Sequence, residues 1–139
     1  MNNPLRNGLA KAAVVAVSTA TGIAGLVVAA APAGATGSGS CVTNDMCVYY
    51  RTGLYGAYYG HYAKINYQGR YFGGRSDGNG QHVRNNAASG KNYDPNCAFR
   101  IYVYPHGTPN NPSQYYGAGA WGNLNGTLNN NNAAQNFFC

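Results

Sequence analysis

The sequence predicts an all-β domain built from two similar halves, and three observations lead there. Short runs alternate between apolar and polar residues with a period of two. Cys97 to Tyr104 is the clearest, with Phe99, Ile101 and Val103 set against Arg100, Tyr102 and Tyr104. Glycines and Asn-Gly or Asp-Gly pairs punctuate these runs, and no window carries the period of an amphipathic helix. Finally, Asn85-Asn86-Ala87-Ala88 recurs as Asn131-Asn132-Ala133-Ala134, so that Asn85 maps onto Asn131. Such a recurrence marks two copies of one supersecondary unit, too few for a solenoid. Antiparallel strands in two halves suit a Greek-key sandwich.

The N-terminal stretch is set apart by composition. Met1 to Lys11 carries Arg6 and Lys11, Ala12 to Ala31 is uncharged and rich in small apolar residues, and Ala33-Gly34-Ala35 follows. This is the order of a secretory signal peptide with an A-x-A cleavage site. The expected division is therefore a signal peptide over 1–35, a flexible leader over 36–40 (TGSGS) and one domain over 41–139. The expected product is a secreted, extracellular monomer with no membrane segment after cleavage. Its length suits one domain with one modest core.

The mature part is mildly basic and poor in ions. Asp45, Asp77 and Asp94 are its only acidic residues, Glu is absent, and polarity comes from Asn, Ser, Gly and 13 Tyr. That charge is too thin for the cationic surface of a nucleic-acid partner, so none is expected. It also means that ion pairs cannot carry the stability. Cys41, Cys47, Cys97 and Cys139 all fall in the mature part. An even count in a small exported domain implies two disulfides. Four cysteines allow three connectivities. The preferred one joins Cys41 to Cys47 in a small loop and Cys97 to Cys139 across the second half. A metal site is disfavoured, since there is no C-x-x-C and no His close to a Cys pair.

In chain order, Cys47 to Arg51 reads as a strand, and Thr52 to Gly60 as turns or a folded hairpin, because Gly53, Gly56 and Gly60 interrupt it. Tyr62 to Tyr67 alternates and reads as a second strand. Gln68-Gly69, Asp77-Gly78 and Asn79-Gly80 read as turns. Pro105 ends the Cys97–Tyr104 strand, and 106–113, with Pro109 and Pro112, is a loop. Tyr115 to Trp121 brings back aromatics spaced by Gly, and Asn123 to Leu128 reads as a final hairpin around Asn125-Gly126. At most a single turn is expected around Ala87-Ala88 and Ala133-Ala134.

Little in this inventory supports catalysis, and the chain is read as not an enzyme. Two of the three Asp sit beside turn residues, where a carboxylate ordinarily bonds its own backbone. His61, His82 and His106 are scattered, with no metal-ligand or nucleophile spacing. Tyr58-Tyr59 and Tyr115-Tyr116 could stack on bases or sugars, but a Tyr-rich wet sheet face is the commoner meaning of such pairs.

Cys41-x-x-x-x-x-Cys47-Val48-Tyr49-Tyr50, the run Tyr49 to Gly56 (YYRTGLYG) and Gly80 to Ser89 (GQHVRNNAAS) together resemble small secreted actinobacterial proteins of the metalloproteinase-inhibitor family. That resemblance implies a βγ-crystallin-like fold of two Greek keys over nearly all of the mature chain. Asn85-Asn86-x-x-Ser89 is also similar to the crystallin Asn/Asp-Asn/Asp-x-x-Ser/Thr-Ser signature, with Gly90 in the last place.

The resemblance implies a proteinaceous inhibitor of an extracellular protease, which blocks the active site with a loop, here Asp94, Pro95, Asn96, Cys97, Ala98 and Phe99. The family's second small disulfide loop is missing, because Tyr102 stands where the near partner of Cys97 would be. No cofactor is required. Calcium is the one worth weighing, with Asn85, Asn86, Ser89, Asn131 and Asn132 as candidate ligands through hard oxygen donors. The competing reading is that these side chains bond the backbone of a folded hairpin. The alternative functions are a calcium-binding or structural extracellular protein, or a small antimicrobial one.

Overall fold

The computed structural model describes residues 41–139. The expected signal peptide and leader lie outside the described residues. Among the described residues the chain forms eight strands and one 3-10 turn. The strands are β1 (Met46–Tyr49), β2 (Tyr58–His61), β3 (Ile65–Asn66), β4 (Ser89–Asn92), β5 (Ala98–Tyr102), β6 (Ser113–Tyr116), β7 (Trp121–Asn123) and β8 (Ala134–Phe138). The turn, Thr52–Leu54, lies between β1 and β2.

Two four-stranded antiparallel sheets result, ordered β2-β1-β4-β7 and β3-β8-β5-β6. Each half of the chain lends a strand to the other: β3 leaves the first half to pair with β8, and β7 leaves the second to pair with β4. Neither half closes its sheet alone, so the two Greek keys stand or fall together. No helix among the described residues is long and apolar enough to cross a membrane.

The core lies between the sheets. Met46, Val48 and Tyr59 face it from the first sheet, and Phe99, Ile101 and Tyr116 from the second, with Phe72, Val83 and Leu128 from connecting segments. The alternation read over Cys97–Tyr104 holds, since Phe99, Ile101 and Val103 are buried and Arg100 is exposed. Gly90 faces this core in β4, where an added Cβ would lie 2.7 Å from Cε of Met46. Gly78 holds φ +89° beneath Tyr50, and any side chain there would overlap that ring.

Several local expectations are corrected. Tyr58–His61 is a strand, although Gly60 lies within it, and of the run Tyr62 to Tyr67 only Ile65–Asn66 is extended. Around the Ala pairs no more than a single turn is expected, and the pairs themselves carry none. The turn over 84–86 precedes the first pair, and Ala134 itself opens β8. The final hairpin is absent. Asn129 N–H donates to Asn125 O in a helical turn, and Asn125 Oδ1 accepts the N–H groups of Thr127 and Leu128. Asn serves both tight turns and caps, so the Asn-Gly pair alone did not distinguish them.

Two disulfides close the domain, Cys41–Cys47 and Cys97–Cys139, with Cα atoms 5.9 and 4.4 Å apart. This is the preferred pairing, and no described cysteine is free. One ion pair is present among the described residues, Arg51 with Asp77 at 2.6 Å, and both side chains are exposed.

Candidate functional site

Two places collect the residues singled out by sequence: the seam where the Asn-Asn motifs meet, and the turn between β4 and β5. At the seam, Asn85 and Asn130 both adopt left-handed backbone, with φ of 64° and 55°. Asn tolerates this region better than most residues. Asn85 N–H donates to Asn132 O at 2.8 Å, and Asn130 N–H donates to Ala87 O at 2.9 Å. These reciprocal bonds tie the two halves across a local two-fold axis. The equivalence they define pairs Asn85 with Asn130 and Ala87 with Asn132. The step is thus one residue shorter than the step from Asn85 to Asn131 that the matching letters suggest.

The side chains follow that geometry. Asn86 and Asn131 each donate to the carbonyl four residues back, His82 O and Thr127 O, both at 3.0 Å. Asn132 is fully buried. Its Oδ1 accepts Ala87 N–H at 3.0 Å and its Nδ2 donates to Val83 O at 2.9 Å. The Ser89 hydroxyl donates to Arg51 O at 2.6 Å and accepts Leu54 N–H at 3.0 Å, holding the 3-10 turn over the first sheet.

Beside the seam is an open cleft of about 480 Å³. Tyr50, Arg51 and Thr52 line it from the first half, with Asn86 and Ala88, and Asn129 and Asn130 line it from the second. Of the five candidate calcium ligands only Asn86 reaches this cleft. Asn130 was missed because the motif was aligned by identity, and Asn129, which corresponds to Arg84 in space, because it lies outside the motif. The donors fit a calcium ion poorly. All are neutral, and no carboxylate lines the cleft. No cluster of three or more His, Cys, Asp or Glu suited to a metal occurs among the described residues.

The turn between β4 and β5 is held from inside. The Asp94 carboxylate turns back, and its Oδ1 accepts the N–H groups of Asn96 and Cys97, each at 2.8 Å. Asn92, fully buried, accepts Asp94 N–H at 2.8 Å and donates to Cys97 O at 2.7 Å and Gly117 O at 2.9 Å. Cys97 is bridged to Cys139 just past β8. Pro95 and Asn96 are exposed, Cys97 and Ala98 are half-buried, Asp94 is buried and Phe99 belongs to the core. The surface this turn offers is therefore Pro95 to Ala98, narrower than the run Asp94 to Phe99. Asn92 was not foreseen, as a single Asn in an Asn-rich chain carries no pattern.

A third braced segment follows β5. Asn111 accepts Tyr104 N–H at 2.9 Å and donates to Tyr104 O at 2.7 Å, and His106 Nε2 meets Gln135 O at 2.7 Å. Gln135, buried in β8, also accepts the Tyr67 hydroxyl at 2.8 Å and donates to His61 O at 2.7 Å.

Burial shifts several ionisable groups among the described residues. Burial raises the Asp45 carboxyl above its ordinary value, and the Val42 N–H and His61 oppose this. Burial lowers the His61 imidazole, with Arg70 adding to the shift and Asp45 opposing it. The hydroxyls of Tyr49, Tyr67 and Tyr116 are pushed up, chiefly by burial.

No protein-family model matches the chain, and no curated protein matches it. A solved structure from work on the evolution of the eye lens βγ-crystallin domain fold is similar to it, with a TM-score of 0.55 and 12% identity over 73% of this chain and 91% of that one. At such identity the likeness concerns the fold alone, and it agrees with the two antiparallel sheets. The chain has a βγ-crystallin-like fold.

Proposed function

We propose that the protein is a secreted inhibitor of extracellular proteases, of the metalloproteinase type, which occludes the active-site cleft with the turn from Pro95 to Ala98. The observation that carries this reading is the preorganisation of that turn. Asp94 and Asn92 grip its backbone from beneath, and the Cys97–Cys139 bridge fixes its far end. A loop already ordered before binding avoids the ordering penalty that weakens most loop contacts, roughly 0.5–1.5 kcal/mol for each immobilised side chain. Asp94, Asn92 and the bridge thus take the place of the small disulfide tether that the sequence lacks. Two disulfides suit an oxidising, extracellular setting.

The test is titration of the oxidised protein against a thermolysin-like metalloprotease, with a subtilisin-like serine protease in parallel. Stoichiometric loss of metalloprotease activity is expected, with the inhibitor intact or cut once within Pro95–Ala98. Asn96→Lys should weaken inhibition without changing the melting temperature. Absence of inhibition of either protease at large molar excess overturns the proposal and leaves a structural extracellular role. The calcium alternative has the weaker case, because no carboxylate lines its cleft.

A further inference from the structure

The outer face of the second sheet carries a group of side chains that neither the core nor the turn uses. Across three neighbouring strands, Tyr115 in β6 pairs with Arg100 in β5, and Arg100 pairs with Asn136 in β8. Phe138, two residues beyond Asn136, lies on the same face. The Arg100 guanidinium carbon sits 5.8 Å from the Tyr115 ring and 5.5 Å from the Phe138 ring. Both rings are largely open to solvent, at 60% and 43% exposure. They belong to strands two apart, so they are separated by about 10 Å along the sheet.

Charge on this face is uncompensated. Arg100 has no carboxylate partner among the described residues. Asp45 and Asp94 are buried, and Asp77 is committed to Arg51. The half-buried Asn136 lies directly opposite Arg100 and brings an amide to the same face. A guanidinium resting beside two rings loses less freedom on engaging an oxyanion than one extended into water.

We propose that this face binds an acidic polysaccharide. The sugar rings would stack on Tyr115 and Phe138, and a carboxylate of the polymer would pair with Arg100 beside the Asn136 amide. Charge complementarity selects an anionic partner. One arginine between two rings is too little positive charge for a nucleic acid, whose binding needs several phosphates neutralised together. Rings and amides without an apolar groove suit a polyol better than an acidic peptide.

The purified, disulfide-bonded full chain is tested by affinity electrophoresis in gels containing polygalacturonate, its methyl ester, or single-stranded DNA. Retardation by polygalacturonate is expected, lost on the methyl ester. Arg100→Gln, Tyr115→Ala and Phe138→Ala should each reduce it about tenfold or more. Tyr62→Ala, an exposed ring in the first half, should not change it. Melting temperatures confirm that each variant is folded. The proposal is overturned by no retardation in polygalacturonate, by retardation that the three variants leave intact, by equal retardation in the methyl ester, or by stronger retardation in DNA.

Discussion

Asn132 offers a direct test of what the Asn-Asn motif is for. Its amide is fully buried and serves two backbone groups of the other half, Ala87 N–H and Val83 C=O. Asn132→Ala leaves Ala87 N–H without a partner and leaves Val83 C=O only the longer bond from Asn86 N–H at 3.3 Å. A stranded buried group costs about 1–3 kcal/mol and a lost hydrogen bond about 0.5–1.5 kcal/mol, so the loss is about 1.5–4.5 kcal/mol. A domain of this size has about 5–15 kcal/mol in total, and each kcal/mol moves its melting temperature by about 4–8 °C. A loss near the middle of the range, about 3 kcal/mol, lowers the melting temperature by roughly 12–24 °C. Asn131→Ala removes only an exposed bond to Thr127 O and should shift it by a few degrees at most. Calorimetry of both variants, with calcium and with chelator, separates the two roles. The drop for Asn132→Ala should be the same in both conditions. A shift no larger than that of Asn131→Ala, or one that appears only with calcium, would refute the structural role.

Further expectations follow from single groups. The Tyr59 hydroxyl is buried without a hydrogen-bond partner, so Tyr59→Phe should raise stability by about 1 kcal/mol. Tyr67→Phe loses the bond to Gln135 and should lower stability by about 1–2 kcal/mol. Urea midpoints that move in the same direction for both would contradict this. The Cys97–Cys139 bridge closes a loop with a sequence separation of 42, so replacing both cysteines by Ser should cost about 4 kcal/mol by loop entropy. A loss below about 1 kcal/mol would show that the open chain is already restrained. The folded state favours neutral His61, so its contribution is complete above the ordinary value of 6.5 and is lost as pH falls through the lowered folded value. The urea midpoint should fall on acidification from 6.5 down to that lowered value, less steeply in His61→Gln, and parallel falls would remove His61 as the cause.

How much of the fold the sequence revealed depended on where the alternation of apolar and polar residues survived. It survived in β5, which lies inside its sheet with one dry face and one wet face, so Phe99 and Ile101 stood out from Arg100. It failed in β8, where the inward position is Gln135. That residue is tolerated in the interior because its amide is satisfied by His61 O, Ala63 O and the Tyr67 hydroxyl. A buried amide of this kind is invisible to a pattern of apolar residues. It failed also in β2, where Gly60 sits opposite Cys47 on the outer face and the core contact comes from Tyr59 alone. The sheet exchange of β3 and β7 had no local signal, since strands of two and three residues are fixed by their partners.

The seam shows why a repeat in letters need not coincide with a repeat in space. Matching Asn-Asn-Ala-Ala to itself places Asn131 over Asn85. The backbone places Asn130 there instead, because left-handed φ and the reciprocal bonds to Asn132 O and Ala87 O recur at that position. On this alignment Ser89 corresponds to Ala134, and the two halves brace their hairpins differently. The first half uses the Ser89 hydroxyl between Arg51 O and Leu54 N–H. The second has no hydroxyl at that place, and Asn111 holds Tyr104 from the far side of its loop while His106 anchors on Gln135 O. The conformational task is shared, but a different side chain performs it in each half. A signature written in residue types therefore finds the first motif, with its Ser, and mis-sets the second by one position. The same slip put Asn132 forward as a ligand in place of Asn130, when Asn130 lines the cleft and Asn132 is spent on holding the halves together.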